Sequence, residues 1–326
     1  MAPRVVYFGM DSEFSTRPLL GLLESGVRVL AVVKPIGGIA MRKTNVATRY
    51  PSLMTRIRER LDNLLKPGPS SPLVAWDAPQ VPDDPFTIAE ASGIPCIVVG
   101  DASGDRAVRL LRRFDADVYC VAFFNQLLRR RVLALPRLGA VNLHPSLLPA
   151  YRGPSPLFWM FRDAPAETGV TLHLLSPGED DGDVLAQARV PLTDGMRGPE
   201  LVHTMALLGK ELMVKGVWDL YRGEETRKAQ DGARAFRSPR PQPEDLRVDF
   251  RRPARDVFNF VRGVSSWVPL YAQVGMDRLE IQDAQAFEPG VKLPGEFSLS
   301  GNILMAQCLD GTVVLRIRSR GWTGAV

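Results

Sequence analysis

The residues best suited to chemistry are an asparagine and a histidine that stand two positions apart. Asn142 and His144, one of three histidines in the chain, come at the end of the apolar run over residues 138–143, which is typical of a buried strand. Alternate side chains of a strand point to the same face, so an amide donor and a titratable imidazole would share one cleft. Together they could stabilise a developing negative charge and transfer a proton.

An acidic turn further along the chain supplies a candidate carboxylate. The alternating run at residues 169–175 predicts a strand, and the turn at 179–183 follows it, so Asp180 can return to the imidazole and stabilise its charged form. His173 lies inside that strand, and we interpret it as a hydrogen-bonded interior residue. The turn lacks the residue order of a calcium loop, so we expect no metal site.

Four segments, in the same order and at close spacing, resemble the formyltransferase family that uses 10-formyltetrahydrofolate. This family includes methionyl-tRNA, glycinamide ribonucleotide and sugar-amine formyltransferases and the hydrolase domain of formyltetrahydrofolate dehydrogenase. The resemblance is closest over residues 115–220. The segments are NLHPSLLP at residues 142–149, YRG at 151–153, TGVT at 168–171 and DDGD at 180–183.

The resemblance implies roles for particular residues. It implies that Asn142, His144 and Asp180 are catalytic, that 10-formyltetrahydrofolate is the co-substrate and that no metal takes part. It also implies that residues 115–126 lead into a folate pocket, where backbone and apolar side chains hold the pteridine ring. The residues expected to bind the folate are Phe124, Asn125, Gln126, Leu127, Ser146 and Asp183. The residues expected to border the acceptor are Gly9, Asp11, Arg42, Tyr151 and Arg152.

The elements that must position these residues read as an α/β fold. An apolar run at 4–8, a helical pattern at 15–24 and a second apolar run at 27–33 form the opening of a parallel sheet. The pattern returns with strands at 95–99 and 117–124 and a helix at 107–114. A helix at 198–221 covers the sheet. We therefore predict a Rossmann-like parallel sheet with flanking helices, without the GxGxxG fingerprint of a dinucleotide site.

An insertion at residues 34–85 interrupts this pattern. It combines a basic loop containing Arg42, an amphipathic helix at 51–65 and a proline- and serine-rich stretch at 66–85, which is typical of a surface excursion. Methionyl-tRNA formyltransferases carry a compact basic insertion here that grips the acceptor stem. This segment is longer and lacks that compact basic run, so the acceptor stays open at this point.

The remainder of the chain predicts a second domain. Residues 223–243 are charged and poor in apolar residues, as in a linker between a catalytic domain at 1–222 and a C-terminal domain at 244–326. A short helix at 257–261 and short strands at 279–281, 296–299, 303–306 and 312–317 predict a small β-rich, OB-like barrel. The tRNA formyltransferases carry a C-terminal domain of this kind. RNA could contact Arg316, Arg318 and Arg320.

Composition narrows the class of protein. The chain of 326 residues is 45% hydrophobic, carries a net charge of +5 and contains no apolar run long enough to span a membrane. Its first residues lack a signal-peptide pattern, so we expect a cytoplasmic protein. Cys96, Cys120 and Cys308 are far apart in apolar surroundings and predict buried thiols. The positive charge either suits an anionic partner or reflects a generally basic composition. The sequence leaves the oligomeric state open.

Several functions fit these observations. Formyl transfer to a primary amine leads, with the methionyl amine of initiator tRNA as the first candidate acceptor and a small amine, such as an amino sugar or amino acid, as the second. Hydrolysis of the donor is a third possibility, but the hydrolase domain commonly has an apolar residue in place of Asn142. A catalytically silent RNA-binding module is a fourth possibility, and it would not need His144.

Overall fold

The computed structural model describes residues 1–36, 46–49 and 84–318. The predicted helix at 51–65, most of the stretch at 66–85, Arg42 and Arg320 lie outside the described residues. Among the helices of the described part, none is long and apolar enough to cross a membrane.

The first part of the chain alternates strands with helices, as the apolar pattern predicts. The strands are β1 (Arg4–Gly9), β2 (Arg28–Pro35), β3 (Val46–Arg49), β4 (Cys96–Val99), β5 (Val118–Ala122), β6 (Ala140–His144), β7 (Glu167–Leu174) and β8 (Val184–Pro191). The helices are α1 (Glu13–Glu24), α2 (Pro85–Ala91), α3 (Asp105–Arg112), α4 (Arg130–Leu133), α5 (Pro156–Asp163) and α6 (Gly198–Arg222).

These strands form one sheet in the order β3-β4-β2-β1-β5-β6-β7-β8. Strands β4, β2, β1, β5 and β6 are parallel to one another, whereas β3 is antiparallel to β4. The backbone N–H of Leu175, just after β7, donates to the carbonyl of Ala140 at the start of β6 over 2.7 Å. The predicted Rossmann-like α/β class is confirmed.

Continuous apolar runs explain the parallel part of the sheet. All residues of β5 and residues 5–8 of β1 are buried, and helices on both faces of a parallel sheet require such strands. The three cysteine thiols in the described residues are buried as predicted, and burial raises the pKa of Cys96 and Cys308 to about 12. Two elements were not predicted from the sequence: β8, a partly exposed strand with polar residues, and α5, which begins at Pro156.

A buried carboxylate fastens the start of the sheet. Asp117, 3% exposed, accepts hydrogen bonds from the backbone N–H of Arg4 (2.8 Å), from its guanidinium (3.3 Å) and from Arg137 (3.2 Å). Burial alone raises the pKa of Asp117, but these donors outweigh burial and hold the pKa below its usual value. The carboxylate therefore stabilises the fold above its unfolded-state pKa of about 3.9, and this contribution is lost as the pH falls through the lower folded-state pKa.

We expect Asp117→Asn to lower the free energy of unfolding by about 2 kcal/mol at pH 7, because buried donors lose their charged acceptor. Urea unfolding measures the difference, which should shrink below about pH 4. Asp115→Asn is the matched control, because the Asp115 side chain is 84% exposed although it also pairs with Arg4. Equal losses in the two variants would contradict the prediction.

The C-terminal part forms an antiparallel sheet packed against one helix. Its elements are α7 (Ala254–Val264), β9 (Leu270–Val274), β10 (Asp277–Pro289), β11 (Phe297–Ser300), β12 (Ile303–Gln307) and β13 (Gly311–Ile317). The strand order is β11-β12-β13-β10-β9. The predicted β-rich domain is confirmed, but β10 is much longer than the predicted strand at 279–281, because register shifts after Ile281 and Ala284 break its alternation.

The chain divides into two compact units. The first contains Met1–Leu143, Leu172–Gly178 and Gly209–Arg227, and its core lies between the parallel strands and their helices. The second contains His144–Thr171, Glu179–Leu208 and Lys228–Val326. Within this second unit α5 packs against α7.

Close packing in the second unit depends on a glycine in α7. A Cβ atom at Gly263 would lie 2.2 Å from Cδ1 of the buried Phe161 ring, and one at Gly198 would lie 2.3 Å from the carbonyl oxygen of Gly263. Both distances are far below van der Waals contact. Only glycine lets these segments approach so closely.

We expect Gly263→Ala to lower the free energy of unfolding by about 1–3 kcal/mol through overpacking. The sign of the change in unfolding free energy tests the packing argument, because alanine in place of glycine would stabilise an unstrained helix by about 1 kcal/mol. Thermal and urea unfolding measure the change. Gly295→Ala is the control, since a Cβ there meets nothing within 4 Å; stabilisation by Gly263→Ala would refute the packing argument.

Candidate active site

Strand β6 carries two of the predicted catalytic residues at its carboxyl end. Asn142, partly buried, pairs in register with Val121 of β5, and His144, 4% exposed, is the last residue of β6. Ligands of open α/β sheets bind beyond the carboxyl ends of the parallel strands. The predicted residues therefore lie at the edge where this class of fold builds its sites.

The His144 ring lies between a carboxylate and a carbonyl group. Its Nδ1 is 3.5 Å from Oδ2 of Asp180, and its Nε2–H donates to the backbone carbonyl of Tyr151 over 2.7 Å. Because both ring nitrogens face oxygen acceptors, the protonated imidazolium is the form that can donate to both. The 3.5 Å separation exceeds an ordinary hydrogen bond, and such catalytic contacts often shorten when substrate binds.

Two tight turns bring Asp180 to this ring. Asp180 has a left-handed backbone, with φ of 52°, and its Oδ2 accepts a hydrogen bond from the N–H of Gly153 over 2.8 Å. Gly153 itself has φ of 104°, a conformation that favours glycine. The structure thus brings together His144 and Asp180, which are far apart in the sequence. Their catalytic roles stay predictions.

A buried histidine orients the amide of Asn142. His173 is fully buried, and its Nδ1 is 2.9 Å from the carbonyl oxygen of Leu174, so Nδ1 carries the proton and donates. Its Nε2 is then an acceptor for the Nδ2–H of Asn142, 3.1 Å away. This contact directs the amide nitrogen of Asn142 rather than its oxygen toward His173. His173 is the hydrogen-bonded interior histidine that we expected, but its partner could not be read from the sequence.

The proline-rich loop after β6 is held by its own hydrogen bonds. The hydroxyl of Ser146, fully buried, donates to the carbonyl of Ala150 over 2.7 Å, and the hydroxyl of Thr171 donates to the carbonyl of Ser146 over 2.6 Å. The Leu148–Pro149 peptide bond is cis. These contacts explain why the loop has a fixed shape. They engage the Ser146 hydroxyl within the loop, and its contact with the folate stays a prediction.

Tyr151 and Arg152 make contacts within the second unit. The Tyr151 ring meets the exposed Phe236 ring edge-on, with 4.5 Å between the ring centroids. Burial, and to a smaller extent the nearby Asp163 carboxylate, raises the pKa of the Tyr151 phenol. The guanidinium of Arg152 donates twice to Gln230. These contacts give both residues a structural role, while their contact with the acceptor stays a prediction.

The loop after β5, predicted to hold the pteridine ring, exposes two apolar side chains. Phe123 is 49% exposed and has φ of 55°, and Leu127 is 65% exposed. Both side chains are open to solvent at the carboxyl edge of the sheet, and their contact with a pteridine ring stays a prediction. The predicted strand at 117–124 ends earlier, at Ala122, so Phe123 rather than Phe124 is the more exposed ring.

The other predicted folate residues lie in or near this loop with different surroundings. Phe124 meets Phe8 edge-on at 5.5 Å. The side chain of Gln126 accepts from the N–H of Ala102 over 2.8 Å and donates to the carbonyl of Gly100 over 3.1 Å, so it ties this loop to the turn after β4. Asn125 and, in the acidic turn, Asp183 are partly buried.

The predicted acceptor residues near the first turn include an ion pair. Asp11 lies 2.5 Å from Nζ of Lys34, which also lies 2.8 Å from Asp84. Burial alone lowers the pKa of Lys34, but these carboxylates outweigh burial and leave it raised. A Cβ at Gly9 would lie 2.0 Å from Oγ of Ser15, so Gly9 allows α1 to begin close to the strand. Acceptor contact by Gly9 or Asp11 stays a prediction.

Comparison with known families decides what kind of protein carries this arrangement. The family model described as formyl transferase matches residues 82–217, and the one described as formyl transferase, C-terminal domain, matches residues 240–320. The chain belongs to the formyltransferase family. The two matches include β6, the acidic turn and the C-terminal sheet of this chain, and the suspected resemblance is confirmed.

Curated relatives include methionyl-tRNA formyltransferases. That of Synechococcus sp. (strain JA-3-3Ab) is 39% identical over 179 residues, which are 55% of this chain and 56% of the relative. That of Chlamydia pneumoniae is 29% identical over 260 residues, which are 75% of this chain and 80% of the relative. The match thus spans little more than half the length of the Synechococcus protein.

A solved structure shares the fold of this chain. The N-formyltransferase from Helicobacter canadensis, in complex with folinic acid and dTDP-3-aminofucose, superposes with a TM-score of 0.63 at 13% identity. The superposition covers 97% of this protein and 99% of that chain. Within the residues that the structure describes here, no three His, Cys, Asp or Glu side chains are grouped to hold a metal ion.

Proposed function

We propose that this protein moves a formyl group from 10-formyltetrahydrofolate to a primary amine. The observation that carries the proposal is the His144–Asp180 pair at the carboxyl end of β6, the strand that also presents an amide oriented by His173. These are the groups needed for attack by an amine on a formamide carbonyl. The exposed Phe123 and Leu127 are the residues that would hold the pterin.

Each residue has a defined task in the proposed reaction. The folate donor supplies the formyl carbon and the leaving nitrogen. Asn142 donates its Nδ2–H to the formyl oxygen as a bond forms between the amine and the formyl carbon, and such a donor stabilises the transition state by roughly 3–4 kcal/mol. His144 takes the proton lost by the amine, directly or through a water. Asp180 stabilises the resulting imidazolium.

Bond breaking completes the proposed transfer. As the bond between the formyl carbon and the leaving nitrogen breaks, that nitrogen recovers one proton from His144, which returns to its starting form. The amine loses one proton and gains the formyl group, so atoms and charge balance without a covalent bond to the protein. No metal is needed for these steps.

We infer that the acceptor is the methionyl amine of initiator tRNA. Methionyl-tRNA formyltransferases are among its curated relatives, and the C-terminal model of the family matches residues 240–320. The net charge of +5 suits a polyanionic partner. With this acceptor the protein would act in the cytoplasm. A small amine, such as an amino sugar, is the second candidate, because residues 34–85 lack a compact basic run.

One assay separates these acceptors. The full chain is incubated with 10-formyltetrahydrofolate labelled in its formyl group and with methionyl initiator tRNA, uncharged tRNA or a panel of amino sugars and amino acids. Label transferred only to the methionyl-tRNA supports the tRNA acceptor, and label transferred only to a small amine removes it. Release of labelled formate with every acceptor would show donor hydrolysis instead and overturn the transferase proposal.

A further inference from the structure

Gln230 uses all four hydrogen-bonding positions of its side-chain amide. Its Nε2 donates to the backbone carbonyls of Asp180 over 2.8 Å and Gly182 over 2.7 Å. Its Oε1 accepts from Nε and Nη2 of Arg152 over 3.0 and 2.8 Å. A primary amide has two N–H donors and two acceptor lone pairs, so this half-buried residue cross-links the acidic turn to the loop that contains Arg152.

The two segments that Gln230 joins are those that hold the His144 ring. The acidic turn supplies the Asp180 carboxylate facing Nδ1, and the loop supplies the Tyr151 carbonyl that accepts from Nε2. Each segment has a left-handed residue at that point, with φ of 52° at Asp180 and 58° at Tyr151. Such backbones cost roughly 1–2 kcal/mol per residue, so they persist where surrounding contacts support them.

Backbone bridges on both sides hold the segment that contains Gln230 in place. Lys228 and Val184 exchange backbone hydrogen bonds of 2.9 Å. Further along, the N–H of Arg152 donates to Phe236 over 3.1 Å, and the N–H of Ser238 donates back to Arg152 over 2.7 Å. The predicted linker is therefore bonded to both segments around His144, and its side chain at position 230 lies between them.

We propose that Gln230 is a positioning residue for formyl transfer, which holds the Asp180 carboxylate at the distance and direction that His144 requires. The inference rests on the proposed function. Gln230 acts through the backbone of the Asp180 turn and through Arg152. Misplacing a catalytic group by about 1 Å can lower a rate by about 10²-fold, so loss of this cross-link would affect turnover more than binding.

Two substitutions test the cross-link in different ways. Gln230→Ala removes all four hydrogen bonds. Gln230→Glu keeps an acceptor for Arg152 but places carboxylate oxygens against the carbonyls of Asp180 and Gly182, where donors are needed. Gln273→Ala is the matched control, because the Gln273 amide donates to the carbonyl of Gly275 in a turn of the C-terminal sheet.

The experiment measures steady-state transfer by the full chain, with methionyl initiator tRNA as the acceptor or, if wild type does not use it, the amine that wild type formylates. We expect both Gln230 variants to lose about 10–100-fold in kcat. The KM of the acceptor should change by no more than a factor of about two. The melting temperatures of both variants should equal that of the Gln273→Ala control. In an Asp180→Asn background, Gln230→Ala should add less than about threefold, because both changes act through the same carboxylate.

The outcomes separate this inference from the function on which it rests. If wild type transfers no formyl group to any amine, the proposed function fails. If wild type is active and both Gln230 variants keep at least half of its kcat, the positioning role is overturned. Full additivity with Asp180→Asn overturns it too, and so does a rise in KM without a fall in kcat. If Gln230→Ala does not fold, Gln230→Glu and its combination with Asp180→Asn decide.

Discussion

His144→Ala is expected to lower the turnover number of formyl transfer by about 10²–10⁴-fold, the usual contribution of a positioned general acid–base. Without the imidazole, no group at the end of β6 takes the proton that the attacking amine loses. The ring lies between the Asp180 carboxylate and the Tyr151 carbonyl, so its removal also takes a polar partner from each of these groups. Steady-state kinetics at pH 7.5 and single-turnover measurements give the loss.

His203→Ala is the control for this prediction, because His203 lies on α6 and has no role in the proposed chemistry. We expect this variant to keep the activity of wild type. Circular dichroism and thermal unfolding should show that both proteins are folded. Wild-type turnover by a folded His144→Ala protein would remove His144 from the proposed mechanism, whereas a wild-type protein that binds RNA but transfers no formyl group would favour a catalytically silent RNA-binding module.

Asp180→Asn is expected to lower the turnover number by about 10⁴-fold, as when the carboxylate that orients a catalytic imidazole is neutralised. Asparagine tolerates the left-handed backbone of residue 180 and can still accept from the N–H of Gly153. The substitution therefore removes the charge while keeping the shape of the turn. The protonated imidazole loses a stabilising negative charge, so the acidic limb of the pH–rate profile should move to lower pH.

Asp181→Asn is the control for Asp180→Asn, since it changes the same charge one residue away on an exposed side chain. We expect it to keep turnover within about a factor of two, because exposed charges in water interact weakly. A similar loss in both variants would mean that the net charge of the turn matters rather than the pairing with His144. An unchanged pH–rate profile in Asp180→Asn would contradict the role of its carboxylate.

The sequence predicted the elements whose apolar pattern has one simple period. Strands β1 and β5 are runs of buried residues, and the long helix α6 follows the helical spacing of its apolar side chains. Elements with a mixed environment were missed or shortened. Strand β8 is partly exposed, α5 begins inside a proline-rich stretch, and β10 contains register shifts that disturb its alternation.

For the candidate site, the sequence by itself supplied the groups predicted to react and the edge of the sheet where they lie. Asn142 and His144 are two residues apart on one strand, so strand geometry alone places their side chains on the same face. Spacing also suggested that Asp180 returns to the imidazole. Only the tertiary structure supplied the 3.5 Å distance between Asp180 and His144, because this distance depends on the left-handed backbones of Asp180 and Gly153.

Only the tertiary structure decided which side chains support those groups. His173 holds the Asn142 amide from a neighbouring strand, and Gln230 joins the acidic turn to the Arg152 loop from a segment that reads as a linker. Hydropathy and periodicity report how strongly a residue prefers burial, but they carry no information on which distant polar partner satisfies it. That partner is set when the chain packs and each buried donor must find an acceptor.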